Sequence, residues 1–128
     1  MTDRKFNLLL DNKLIGTTAF ENADAPMNVV FGQIYFTESV FGYDKLKNYC
    51  TENSISIVND YPEDKLISTD NIPKLTISDK YGNIINAEVK TIEGMDSDFY
   101  TLNLLGVSTE QYEKYFSQHI NDYQNRKF

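Results

Sequence analysis

A chain of 128 residues, 41% hydrophobic and free of repeats or low-complexity tracts, suits one domain, residues 1–128, that buries roughly two thirds of the surface its unfolded form exposes. A net charge of −7, from 19 acidic and 12 basic side chains, argues against direct nucleic-acid binding, which needs clustered Lys and Arg, and permits a basic protein as partner. The single cysteine, Cys50, excludes an intrachain disulfide and any multi-cysteine metal site, and it fits a reducing compartment.

The apolar stretch from Phe6 to Leu10 is too short for a signal-peptide core or a membrane span, so cytoplasmic residence is expected. Phe6 to Asp11 and Leu14 to Phe20 are apolar-rich runs. Asn12 and Lys13 separate them, a spacing that predicts a hairpin with Asn in the left-handed position. Gly16 in the second arm marks a bulge or a close backbone approach. Glu21 to Met27, broken by Asn22, Asp24 and Pro26, reads as a loop. Val29 to Phe36 is the densest apolar run of the first half and reads as a central strand buried on both faces, with Gly32 letting something pack against the backbone. From Tyr43 to Asn53 the period changes: Tyr43, Leu46, Tyr49 and Cys50 share one side, which predicts a short amphipathic helix. Neither Phe41 nor Gly42 is a good side-chain cap for it. Cys50 lies on the apolar stripe and reads as a small buried thiol.

Ile55, Ile57 and Val58 form a brief strand that ends in a turn from Asn59 to Asp64, and Leu66 to Thr69 resumes extended structure. After a break at Asp70, Asn71 and Pro73, Leu75 to Ser78 and Ile84 to Ile85 flank Gly82 and Asn83, a hairpin signal. Ala87 to Ile92 reads as a strand, Glu93 to Asp98 as a loop and Phe99 to Leu105 as a further strand, so the second half reads as an antiparallel meander. Ser108 opens the best helix, with Gln111 completing a capping box. Tyr112, Tyr115, Phe116, His119, Ile120 and Tyr123 mark one face of it, and Arg126 and Lys127 sit near its end. The expected fold is α+β, a mostly antiparallel sheet packed against a C-terminal helix, with one short helix after the central strand.

Chemistry is sparse. His119, the only histidine, falls on the apolar stripe of the last helix and reads as a packed, hydrogen-bonded ring. One His and one Cys on separate stripes make no usual zinc site, and Asp96 with Asp98 lacks the remaining carboxylate, glycine and distal Glu of a calcium loop. No nucleophile elbow or phosphate loop is present, so no catalytic residue, metal or cofactor is assigned. What remains is acidic: Asp60, Glu63, Asp64 and Asp70 in one region, Glu93, Asp96 and Asp98 in another, with Tyr61, Phe99 and Tyr100 nearby. If the sheet brings both groups to one end, carboxylates beside aromatic anchors make a protein-binding patch. The plain alternative is that solvated loops are simply acidic.

The segment LLLDNKLIGTTAFENADAPMNVVFGQIYF is similar to the pattern LDG-x-x-IG … LE-x-x-D-x-x-MG-x-x-FG of small bacterial proteins, several of which resemble immunity proteins encoded near polymorphic or contact-dependent toxins. The later IEG, the segment LNLLGVSTEQYEKYF and His119 resemble that family's closing strand and helix. Asn28 and Asn12 stand where the pattern has glycine. The resemblance implies a non-enzymatic role, binding and neutralising a cognate toxin. The charge adds the expectation of a basic nuclease domain, bound through Asp60, Tyr61, Glu63, Asp64, Asp70, Glu93, Asp96 and Asp98. Two other classes stay open. One is a small enzyme with convergent carboxylates, for which a concave site is expected; the other is a structural or adaptor domain that self-associates.

Overall fold

Asp11 and Asn12 both take left-handed backbone angles, φ 52° and 68°, the turn that matches the twist of a hairpin, and so join β1 (Phe6–Leu10) to β2 (Lys13–Thr18). The computed structural model describes residues 5–38 and 41–125. Over those residues the chain continues through β3 (Asn22–Asp24), β4 (Val29–Phe36), α1 (Tyr43–Glu52), β5 (Ile57–Tyr61), β6 (Leu66–Thr69), β7 (Leu75–Ser78), β8 (Ile84–Ile85), β9 (Val89–Met95), β10 (Tyr100–Leu105) and α2 (Thr109–Asn125). The fold is α+β: an antiparallel sheet in the order β5-β6-β9-β10-β4-β2-β1-β7-β8, with β3 also paired to β4. Among the described residues no helix is long and apolar enough to cross a membrane. Arg126 and Lys127 lie outside the described residues.

β4 is the central strand, as its apolar run predicts, but only one of its faces is covered. Val30 and Ile34 are buried, whereas Phe31 is half-buried and Tyr35 is 54% exposed. Val30, Ile34, Leu102 and Leu104 join Leu46 and Cys50 of α1 and Tyr112 and Phe116 of α2 in one core. An apolar run does not distinguish one covered face from two, because that depends on how many layers the rest of the chain supplies.

The second half is not a simple meander. β6 pairs with β9, and the chain between them leaves for the far edge, where β7 pairs with β1 and β8 with β7. Leu75 and Ile77 are fully buried there, in register with Leu10 and Leu8. That edge of β1 has backbone groups and an apolar face to complete, and β7 satisfies both.

Glu21 to Met27, expected as a loop, contains β3 and a 3-10 turn, Ala25–Met27, closed by Asn28 at φ 57°. Both asparagines that replace glycine in the resembled pattern, Asn12 and Asn28, therefore occupy left-handed conformations. Asn tolerates these better than most side chains. The turn after β5 repeats the geometry: Pro62–Asp64 form a 3-10 turn closed by Lys65 at φ 52°.

Between β2 and β3 the chain bulges. Thr17 pairs with Tyr35 and Asn22 with Phe31, so Thr18–Glu21 stand opposite Gly32–Ile34 with one residue to spare. Phe20 takes φ 49° and drives its ring into the core, 1% exposed, against Phe6 and Phe116 at centroid distances of 5.2 and 5.5 Å. Side chains then satisfy the backbone groups that the bulge takes out of the ladder. The Phe20 N–H donates to Thr18 Oγ1 (3.4 Å), His119 Nε2 donates to the Phe20 carbonyl (2.7 Å), and the Gln33 N–H donates to Glu21 Oε1 (3.1 Å). His119 is thus a half-buried, hydrogen-bonded ring, and Cys50 is buried, which pushes its thiol pKa up.

Gly32 has no room for a side chain here: a Cβ would lie 2.5 Å from Thr18 Oγ1 and 2.8 Å from Phe20 Cα. At the start of α2, Ser108 Oγ accepts the Gln111 N–H (3.3 Å) as expected. The Gln111 side chain makes no capping box. It accepts the Asn86 N–H (2.7 Å) and donates to the Ile84 carbonyl (2.8 Å), tying the helix to β8 and the residue after it.

Candidate acidic docking site

Antiparallel pairing of β6 with β9 puts Leu66 opposite Met95, and the Asp96 N–H donates to the Lys65 carbonyl (3.2 Å). The turn after β5 and the turn after β9 therefore lie side by side at one end of the sheet. Asp60, Tyr61, Glu63, Asp64, Asp96 and Asp98 meet there. Asp70 does not join them: it sits at the opposite end of β6, its N–H on the Ser56 carbonyl and its carboxylate on the Asn71 N–H (2.7 Å). Glu93 lies inside β9, opposite Ser68 and Thr101, on the exposed face of the sheet and not in the turn.

Two carboxylates of this end are committed to holding the fold. α1 begins at Tyr43 after Gly42, which supplies no side-chain cap. Asp96 Oδ1 takes that place, accepting the Tyr43 N–H at 3.0 Å and the Tyr100 hydroxyl at 2.8 Å. Gly42 leaves space for it, since a Cβ there would stand 2.6 Å from Asp96 Oδ1. Burial, together with the adjacent Asp96 carboxylate, pushes the Tyr100 hydroxyl pKa far up. Asp60 accepts the Tyr43 hydroxyl on Oδ1 and pairs with Lys47 Nζ through Oδ2 at 2.9 Å. The tyrosine hydroxyl first and the lysine second hold the Asp60 carboxyl below its usual range, and the same contacts raise the pKa values of Tyr43 and Lys47.

The others are not committed in this way. Among the described residues Glu63, Asp64 and Asp98 enter no ion pair, whereas Asp44 is held by Lys65 at 3.2 Å. Tyr61 is 51% and Phe99 47% exposed beside them. A groove of about 360 Å³ opens between the start of α1 and the turn after β9, lined by Asp44, Asp96 and Asp98 together with Phe41, Phe99 and Tyr100. Carboxylates over aromatic rings suit a cationic side chain, whose charge meets the acids while its stem or guanidinium plane lies on the rings. Among the described residues no group of three or more His, Cys, Asp or Glu could hold a metal ion.

Sequence reasoning missed Asp44 and Phe41 as members of this groove. The cap-less start of α1 at Gly42 was the only local sign that something remote had to reach it. Compared with known proteins, the chain matches no family model, and no curated protein and no solved structure is significantly similar to it.

Proposed function

We propose that this chain is an immunity protein that binds a cognate toxin, a basic nuclease domain, in the bacterial cytoplasm and occludes the surface through which that toxin engages RNA or DNA. One observation carries the reading: Glu63, Asp64 and Asp98, in no ion pair among the described residues, share one end of the sheet with the exposed rings of Tyr61 and Phe99. The resemblance of residues 8–36, 92–94, 102–116 and His119 to immunity-like proteins supports the class. The net charge of −7 supports the sign of the partner. Carboxylates take the place of phosphates against the toxin's Lys and Arg, steering the encounter, while the rings supply buried area. The action is stoichiometric and salt weakens it mainly through a slower association rate.

The test is capture of basic proteins from the producing cell on immobilised wild type and on the E63K/D64K/D98K variant. The expected outcome is a protein with nuclease activity retained on wild type alone and inhibited at a one-to-one ratio. Equal recovery on both would sink the electrostatic reading. The concavity around Asp44, Asp96 and Asp98 favours a second reading, a small enzyme with carboxylate acid-base chemistry. Because Asp96 already accepts two hydrogen bonds and Asp44 is held by Lys65, Asp98 is the acid-base candidate in that case. Neutralisation of the toxin at far below one-to-one, abolished by D98N, would mark the enzyme.

A further inference from the structure

We infer that the exposed face of the sheet is a second docking surface, and that its occupant is an extended basic segment of another protein, with a Lys or Arg on each side of an apolar residue. Among the described residues no layer covers the outer face of β4, an apolar strand: Tyr35 is 54% exposed and Phe31 half-buried, with Phe99 exposed nearby. An exposed aromatic patch on a central strand is a recurring mark of interaction surfaces. Register builds the patch. Gln33, Thr101 and Glu93 stand in one row across β4, β10 and β9, and Phe31, Asn103 and Thr91 in the next. Asn103 Nδ2 bonds Thr91 Oγ1 (3.2 Å), so that row is internally satisfied.

Between Tyr35, Phe31 and Phe99 lies a trough of about 550 Å³, lined also by Glu21 and Glu93 and, among the described residues, by no Lys, Arg or His. Glu21 approaches from the β4 edge, where one of its oxygens holds the Gln33 N–H. Glu93 lies two strands away, roughly 10 Å at the usual spacing. The charge pattern selects the occupant. A second copy would bring its own Glu21, Glu93 and net charge of −7 against these acids, and a nucleic acid would bring phosphates; both are repelled. A basic segment places its cations at the two acids and its apolar residue on the rings, and the guanidinium plane of Arg stacks on Tyr35 or Phe99. This surface shares Phe99 with the acidic end of the sheet but includes neither Tyr61 nor Glu63, Asp64 and Asp98, so shifts at those residues distinguish it from the inhibitor reading.

The test is a titration of the full chain, labelled with 15N, using a blocked hexapeptide of alternating arginine and valine. Peptides with serine or glutamate in place of arginine serve as comparisons. Saturable shifts are expected at Phe31, Gln33, Tyr35, Glu93 and Thr101, with the glutamate peptide silent. Glu93→Lys is expected to weaken binding by about fivefold, as for an exposed ion pair. Tyr35→Ala is expected to weaken it by about fivefold or more, as for an aromatic anchor. Glu52→Lys, which makes the same change in net charge on exposed α1, is expected to leave affinity within about twofold. The proposal is overturned by shifts confined to Glu63 and Asp64, by equal binding of the serine peptide, by absence of any saturable shift, or by sedimentation showing that this face joins two copies of the chain.

Discussion

The carboxylate of Asp96 caps a helix that begins 53 residues before it, by accepting the N–H of Tyr43 at 3.0 Å. The same oxygen accepts the Tyr100 hydroxyl, so one side chain satisfies a helix start and a buried phenol. Asp96→Ala removes the acceptor of both hydrogen bonds and is expected to lower stability by about 2 kcal/mol, whereas Asp98→Ala is expected to stay within about 0.5 kcal/mol. Urea unfolding of the two variants checks this. It also decides how a charge reversal at Asp96 should be read, as damage to the fold and not as loss of a contact.

Gly32 sits where the bulge of Thr18–Glu21 presses against β4. A methyl at this position meets Phe20 Cα at 2.8 Å, which is backbone and cannot swing aside. Gly32→Ala is expected to cost about 3 kcal/mol. Thermal or urea denaturation measures it, and an unchanged midpoint would mean that the bulge relaxes freely.

His119 holds the bulge from the other side by donating to the Phe20 carbonyl at 2.7 Å. His119→Leu keeps much of the packing but removes the donor, and is expected to cost about 1 to 2 kcal/mol by leaving that carbonyl unpaired. His119→Gln carries an amide that can donate, and is expected to recover part of the loss. Amide exchange at Gln33 and Phe20 in the two variants reports whether the bulge has opened; equal exchange in both would remove the role assigned to the ring.

Asp79 organises the β7–β8 hairpin. It accepts hydrogen bonds from Asn83 through side chain and backbone, from the Tyr81 N–H and from the Tyr115 hydroxyl, and the Asn83 side chain leads in holding its carboxyl down at about 2. Because the folded pKa lies below the ordinary 3.8, the stabilisation is fully present above about pH 4 and is lost as pH falls towards 2. Asp79→Asn is expected to flatten this part of the stability curve. Denaturation midpoints between pH 5 and pH 2 for the two proteins test it, and parallel curves would place the acid sensitivity elsewhere.

The first hairpin with Asn12 left-handed, the strand-turn-strand around Gly82 and Asn83, the two helices and the central place of β4 were legible because each rests on neighbours in sequence: a left-handed turn residue, a period of two, a period of three to four. The turn itself lies one residue earlier than Asn12–Lys13, at Asp11–Asn12, with Lys13 already in β2. The Ser108 cap was legible for the same reason. The partner of Gln111 was not, because the Asn86 N–H that it serves is close only after folding. The detour of β7 to β1 was equally hidden, since Leu75 and Ile77 alternate the same way whichever edge they join.

The candidate site divides along the same line. Its composition, acidic turns with Tyr61 and Phe99 beside them, is a property of the chain, as are the single buried cysteine and the charge of the whole. Which carboxylates are free is not. Asp60 and Asp96 are bound to Tyr43, Lys47 and Tyr100, Asp70 is carried to the opposite end, and Glu93 is turned onto a face that the apolar run of β4 gave reason to think covered. Periodicity and turn chemistry act over a few residues and so can be read locally. Hydrogen-bond partners, exposure and the company of charges depend on strand register and layer count, which only the folded chain decides.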